Sequence, residues 1–132
     1  MKRGKEMRYN YKLKFYLSGI HYIMVNQKTQ DIHPHTWEIV VYIRNINEEI
    51  ILFGEVEYII KDYLSNFEGK TLNEIDKFKG ENFSDGVYKS FSTEFMAKII
   101  FKDLIEILKR KSMLLFKIEV SERPTRTFVI ES

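Results

Sequence analysis

The chain has only three histidines, and their spacing could build a metal site. His33 and His35 flank one proline, and residues i and i+2 of a strand point to the same side, so both imidazoles can reach one ion. His21 precedes them on a segment of similar pattern. A connection of about ten residues would make the two segments antiparallel neighbours roughly 5 Å apart. Three neutral imidazoles with a fourth position open form the ligand set of a catalytic zinc ion.

The segments that must position these histidines read as β-strands. Apolar and polar residues alternate with period two, which is typical of a strand with one buried face. Residues 26–32 are polar and predict a loop, and Glu122 falls in a predicted turn. The four predicted strands cover residues 9–25, 33–46, 113–120 and 126–131.

Two helices are predicted between the second and third strands. Residues 54–67 place apolar side chains at helical spacing. Ser84 or Asp85 predicts the N-cap of a longer helix that ends near residue 110, because either side chain can accept from a free backbone N–H. The order ββααββ predicts an α+β fold, with an antiparallel four-stranded sheet and two helices on one face.

The composition narrows the class of protein. A length of 132 residues suits a single domain covering residues 1–132, with residues 1–8 forming a flexible N-terminus. The chain has no cysteine, which excludes disulfides and thiolate ligands. A net charge of +2 argues against a nucleic-acid partner. No apolar run approaches the roughly 20 residues that span a bilayer, so we expect no membrane partner and a cytoplasmic location.

Several segments resemble one enzyme family in order and spacing. Residues 17–21 (Leu-Ser-Gly-Ile-His) resemble a zinc-ligand strand that usually reads Phe-Ser-Ala-Ala-His, and residues 33–37 resemble a His-Gly-His followed by an aromatic. The family is that of the 6-pyruvoyltetrahydropterin and 6-carboxytetrahydropterin synthases, and the resemblance covers roughly residues 11–131. Further matches lie at residues 53–56, 72–75, 81–82 and 118–122.

The resemblance implies a fold, a metal and an assembly. The fold is the tunnelling fold, in which three subunits join their sheets into a barrel and two trimers usually stack into a hexamer. Zn²⁺ would bind His21, His33 and His35. Glu122 would grip the amino group and ring N3 of a pterin, because two carboxylate oxygens match two parallel N–H donors. Glu81 matches the Glu-Asn that precedes the family's second helix and would also contact the substrate.

The chain departs from the family at the residues that move protons. Thr29 stands where the family has its catalytic cysteine, and a hydroxyl is a far weaker acid than a thiol. Glu68 and Gly69 stand where the family has an Asp-His pair. Asp31 and Glu68 lie at or near these positions and are the candidate catalytic replacements. The alternative for both is an ordinary solvated loop carboxylate.

These observations support one main hypothesis and two alternatives. The main one is a zinc-dependent lyase of the 6-carboxytetrahydropterin synthase type, which acts on dihydroneopterin triphosphate on the route to queuosine and related deazapurines. The first alternative is a catalytically impaired homologue that binds zinc and a pterin, or serves as an oligomeric binding module. The second is a structural zinc domain without a small-molecule ligand.

Overall fold

Long strands and two helices dominate the computed structural model. It describes residues 7–25, 28–47, 49–78, 88–90 and 92–132, and for residues 23–25, 28–33 and 88–90 it describes the backbone alone. Two short 3₁₀ turns, Leu72–Glu74 and Asp76–Phe78, follow the first helix. The other elements are β1 (Tyr11–Val25), β2 (Lys28–Asn45), α1 (Phe53–Leu64), β3 (Tyr88–Ser90), α2 (Thr93–Lys109), β4 (Met113–Arg123) and β5 (Arg126–Glu131).

The strands form one antiparallel sheet in the order β3-β1-β2-β4-β5. The predicted α+β fold with four long strands and two helices in the order ββααββ is confirmed. The three-residue strand β3 extends the sheet beyond β1 and was not predicted. Within the described ranges, neither helix is long and apolar enough to cross a bilayer.

The core lies between one face of the sheet and the two helices. Alternate residues of β1, β2 and β4 point into it, as the period-two pattern predicts. Each helix adds an apolar stripe at helical spacing. The largest fully buried side chains are Leu17, Trp37, Ile39, Ile43, Ile60, Leu72, Phe78, Met96, Ile100, Leu104, Leu108 and Leu115.

Strand β2 begins earlier than predicted. The ladder pairs Val25 with Lys28, so most of the predicted loop over residues 26–32 is strand. The prediction was wrong because the hairpin ladder of β1 and β2 continues where the apolar alternation has stopped. Backbone hydrogen bonds need no apolar side chain, so a polar segment can still pair.

Helix α2 begins later than predicted. Its N-cap is Ser92, whose hydroxyl accepts from the backbone N–H of Phe95. Ser84 and Asp85, the predicted caps, lie outside the described residues, and β3 intervenes before the helix. Residues 1–6 of the predicted flexible N-terminus also lie outside the described residues, and the next four residues are exposed.

Residues 68–73, which run into the first 3₁₀ turn, lie along the edge of β1 opposite β2, next to the stretch that pairs with β3, and we call them the edge segment. The backbone N–H of Gly69 donates to Ser18 O at 2.7 Å, and Ile20 N–H donates to Lys70 O at 2.9 Å. The edge segment therefore satisfies backbone groups of β1 that no neighbouring strand reaches.

The same contact continues through a side chain. The amide oxygen of Asn73 accepts from Tyr22 N–H at 2.9 Å, and its amide nitrogen donates to Tyr22 O at 2.9 Å. Asn73 thus provides both halves of a strand-like hydrogen-bond pair. These contacts fix the part of β1 that carries His21.

Candidate metal centre

His21, His35 and Glu122 meet at one end of the core face of the sheet. One carboxylate oxygen, Glu122 Oε2, lies 3.2 Å from His21 Nε2 and 3.1 Å from His35 Nδ1. The two imidazole rings are in edge contact, with centroids 4.5 Å apart. His21 is the one buried polar or charged residue of the described chain, at 9% exposure. The cluster therefore stands at the boundary between core and solvent.

The strand register explains how residues distant in sequence converge. Gly19 of β1 pairs with His35 of β2, and His21 lies two residues further along the same face of β1. On β4, Ile118 and Val120 are fully buried, and Glu122 continues their side of the strand. Three neighbouring strands thus each contribute one polar side chain where their apolar stripes end.

A hydrogen-bond chain from the core holds the second oxygen of the carboxylate. The indole N–H of Trp37 donates to Thr93 Oγ1 at 3.1 Å, and the Thr93 hydroxyl donates to Glu122 Oε1 at 3.2 Å. Trp37 is fully buried, and its ring lies 5.3 Å from the His21 ring, centroid to centroid. The first residue of α2 therefore links the core to the carboxylate.

For the third predicted ligand, His33, the structure describes the backbone only. It pairs directly with His21 across the β1–β2 ladder. Its side chain lies outside the described residues, so its role as a ligand stays a prediction.

The described donors fit a divalent metal ion. The ligand atoms of His21, His35 and Glu122 all lie within 4.8 Å of one another. Tetrahedral zinc with bonds of about 2.0–2.1 Å to nitrogen and oxygen separates its ligand atoms by about 3.3 Å. The two measured nitrogen–oxygen distances, 3.2 and 3.1 Å, are close to that separation. Imidazole and carboxylate together also suit zinc and other first-row metals.

The candidate catalytic residue Glu68 and its neighbour Gly69 lie in the edge segment. The Glu68 carboxylate accepts from the backbone N–H of Ser18 at 3.1 Å. Gly69 adopts φ +74°, a backbone conformation that L side chains rarely adopt. The side chain of Asp31 and the whole of Glu81 lie outside the described residues. Their assigned roles are predictions.

Thr93 is a site residue that the sequence analysis missed. It follows the N-cap Ser92 directly, and a serine-threonine pair before an apolar run is an ordinary helix-start signal. The signal was overlooked because Ser84 and Asp85 offered the same chemistry eight residues earlier. Because α2 starts at Thr93, Glu81 does not directly precede the helix as the resemblance implied, and Glu94 lies in the first turn of α2.

A cavity of about 260 Å³ opens beside the cluster. It lies between the start of α2 and the β4–β5 hairpin, so a small molecule in it would lie against Glu122. Its lining mixes carboxylates, guanidinium groups, hydroxyls and an aromatic ring: Thr93, Glu94, Glu122, Arg123, Arg126 and Phe128.

Solved structures share this architecture. A 6-pyruvoyl tetrahydropterin synthase of Caenorhabditis elegans superposes with a TM-score of 0.71 at 14% identity, covering 94% of this chain and 95% of that one. A Plasmodium vivax 6-pyruvoyltetrahydropterin synthase, in a form with a catalytic glutamate replaced by alanine, gives 0.59 at 18% identity, with coverages of 94% and 98%. An uncharacterised protein of Wolinella succinogenes gives 0.64 at 12%, with 96% and 99%.

The sequence comparison assigns the family. No curated protein sequence matches this chain. The family model described as 6-pyruvoyl tetrahydropterin synthase, in contrast, matches residues 10–132, which is nearly the whole length. That match agrees with the order of strands and helices, which the solved structures share. The chain is a divergent member of the 6-pyruvoyl tetrahydropterin synthase family.

Proposed function

We propose that this protein is a zinc-dependent pterin lyase of the 6-carboxytetrahydropterin synthase type, acting in the cytoplasm on dihydroneopterin triphosphate. Its products would be 6-carboxytetrahydropterin, acetaldehyde and triphosphate, on the route to queuosine and related deazapurines. The observation that carries the proposal is the meeting of His21, His35 and Glu122 at one point, in a chain of the pterin synthase family.

The proposed roles follow from where each side chain lies. His21 and His35, with His33, would hold the ion at the mouth of the core. Bound zinc would supply a positive charge that polarises oxygens of the pterin side chain. The cavity beside Glu122 is lined by an aromatic ring, Phe128, and by both hydrogen-bond donors and acceptors. Such a lining suits a flat heterocycle that has N–H donors and a carbonyl. The resemblance assigns the pterin contact to Glu122 and Glu81.

Carboxylates would take the place of the missing thiol and imidazole. Asp31 lies on β2 two residues before His33, and Glu68 lies on the edge segment. A carboxylate can move protons at neutral pH when its surroundings tune it, so the loss of cysteine does not remove acid–base chemistry. The Plasmodium vivax relative, described as having a catalytic glutamate, supports a carboxylate in such a role.

A specific observation favours the alternative, a catalytically impaired homologue that binds zinc and a pterin. Gly69 stands where the family has a histidine, and its φ of +74° is one that a side chain would strain. The backbone there has taken a conformation that suits glycine rather than a positioned imidazole. A protein that keeps the metal-binding side chains but has a different backbone conformation in this segment would bind zinc and a pterin without converting the pterin.

The proposal includes a homo-oligomer, a trimer or hexamer. Strand β5 forms one edge of the sheet, and its Val129 is exposed. Large apolar side chains around the start of α1, including Ile50, Leu52 and Phe53, are more than half exposed. An open strand edge and exposed apolar groups both favour association between copies. Light scattering after size-exclusion chromatography would measure the assembly.

The deciding experiment measures metal, binding and product separately. Metal analysis of the purified protein should find zinc, or uptake of added zinc, at one ion per chain. The zinc-loaded protein is then incubated with dihydroneopterin triphosphate, and pterins and acetaldehyde are followed by chromatography. We expect the 6-carboxy product with acetaldehyde. Release of 6-pyruvoyltetrahydropterin would assign the other family reaction, and pterin binding without turnover would establish the impaired homologue.

A further inference from the structure

We infer that Glu122 is itself a ligand of the metal ion in the pterin-free protein, with Thr93 as its positioning residue. This inference rests on the proposed metal binding and departs from the role of substrate anchor that the resemblance implies. Glu122 Oε2 contacts a ring nitrogen of each imidazole, at 3.2 Å from His21 Nε2 and 3.1 Å from His35 Nδ1. At these distances Oε2 stands beside the two ring nitrogens in the position of a third ligand atom.

The donor atoms already stand at ligand spacing. An ion placed among the three atoms would take the position of the hydrogens between the two ring nitrogens and the carboxylate oxygen. The imidazoles would then bind it as neutral ligands, and the carboxylate oxygen would keep its place. Such a change needs no large side-chain movement, since the separations are close to the roughly 3.3 Å edge of a tetrahedral zinc site. The ion would then have a carboxylate ligand in addition to its histidines.

The other oxygen is held in the manner of a metal-site outer shell. Ligating carboxylates are themselves hydrogen-bonded, and the partners orient them. Thr93 donates to Glu122 Oε1 and accepts from the indole of Trp37, which is fully buried. Because Thr93 begins α2, its own position is fixed by the helix. The chain Trp37–Thr93–Glu122 therefore aims Oε2 at the histidines.

One consequence concerns the substrate. Both oxygens of Glu122 are engaged, one by the histidines and one by Thr93. A pterin that pairs with this carboxylate must first take it from the ion. Entry of the substrate would thereby open a coordination position at the moment when the pterin arrives.

The chain provides its own reporter for a test. Trp37 is the only tryptophan, and its ring lies 5.3 and 5.8 Å from the rings of His21 and His35. Titration of the full chain with Co²⁺, followed by quenching of tryptophan fluorescence and by the visible Co²⁺ spectrum, reports binding at this site without any assay of activity. The variants are Glu122→Gln and Glu122→Ala, with Glu119→Gln as the control. Glu119 lies on the same strand with the same side-chain exposure, 25%, and pairs with Lys117.

We expect both Glu122 variants to bind Co²⁺ about 100-fold more weakly than the parent, with a changed visible spectrum, and Glu119→Gln to bind as the parent does. Loss of an outer-shell partner typically weakens metal affinity by about 10–100-fold. Thr93→Val should therefore weaken binding about 10-fold, and Thr93→Ser, which keeps the hydroxyl, should restore it.

The outcomes separate this inference from the proposed function. Parental Co²⁺ affinity and spectrum in both Glu122 variants would overturn the inference and leave the histidine site intact. Failure of the parent protein itself to bind metal would overturn both. Circular dichroism of each variant checks that the fold is retained before affinities are compared.

Discussion

Replacement of Gly19 by alanine tests how closely the edge segment packs on the strand that carries His21. Gly19 lies two residues before His21 and pairs with His35. A Cβ added to it would meet the Leu72 side chain at 3.1 Å and Lys70 O at 3.2 Å. Both distances are tighter than ordinary van der Waals contact, so a neighbouring atom must move by a few tenths of an ångström.

Neither neighbour moves easily. Leu72 is fully buried, and the Lys70 carbonyl accepts from Ile20 N–H at 2.9 Å. Overpacking of this kind costs about 1–3 kcal/mol. The lower chain entropy of alanine in the unfolded state offsets roughly 0.5–1 kcal/mol. We therefore expect Gly19→Ala to lower the free energy of unfolding by about 1 kcal/mol, within a range of about 0–2.5 kcal/mol. It should also weaken metal binding, because the displacement is transmitted to His21.

The assay is urea unfolding followed by circular dichroism, with Gly54→Ala as the matched control. Gly54 lies in the first turn of α1, and a Cβ there meets nothing within 4 Å. The control should be neutral or more stable by at most about 1 kcal/mol, from helix propensity alone. If Gly19→Ala is as stable as the parent and binds metal equally well, the edge segment does not pack as described and the reasoning fails.

Two further predictions concern the contacts that hold the frame of the site. Asn73→Ala removes both hydrogen bonds to Tyr22 and should destabilise the protein by about 1–3 kcal/mol in the same urea assay; an unchanged midpoint would mean that water replaces them fully. Burial, and then the hydrogen bond to Asp103, raise the pKa of Tyr63. The stability that this hydroxyl contributes is therefore complete below the ordinary tyrosine pKa of about 10. It is lost at higher pH, because there the tyrosine of the unfolded chain ionises before that of the folded protein. Tyr63→Phe should lower the free energy of unfolding by about 1–2 kcal/mol at neutral pH and reduce its decline above pH ~10. An equal decline in the parent and the variant would contradict this. Lys77→Met is the control for the lysine that pairs with Asp103.

The fold could be predicted from the sequence because the apolar residues of its core recur at the spacing of a strand or of a helix. Leu13, Phe15 and Leu17 alternate on β1, and the apolar stripe of α2 repeats at helical spacing. The element boundaries were less visible. Polar residues continue β2 to Lys28 because backbone pairing does not require a hydrophobic pattern. Several residues could cap α2, and local chemistry alone did not distinguish them.

The candidate site was predictable only in part. Spacing on strands brings His21 and His35 to one place, and the family resemblance marked Glu122. The contact between Glu122 and the histidines could not be read from sequence, because it depends on the register of β4 against β2, which a bulge shifts. Thr93 reaches the site only because α2 packs across that sheet. Tertiary placement of this kind leaves no local signal.

The contacts of the edge segment bear on which carboxylate, Glu68 or Asp31, is the better candidate for proton transfer. The resemblance places the family's Asp-His pair on this segment, yet four of its residues bond β1. Glu68 and Asn73 do so through their side chains, and Gly69 and Lys70 through their backbone groups. Along the strand, Ser18 lies three residues from His21, roughly 10 Å. Asp31, on the strand that carries His33, is then the better candidate for an acid–base group.

A pair of variants tests that conclusion. Glu68→Gln should keep turnover, because an amide oxygen still accepts from Ser18 N–H, whereas Asp31→Asn should lose it with stability and Co²⁺ affinity unchanged. Product formation by chromatography, urea unfolding and Co²⁺ titration of each variant would measure the three quantities. Loss of turnover in Glu68→Gln at unchanged stability would instead place the proton-transfer group on the edge segment.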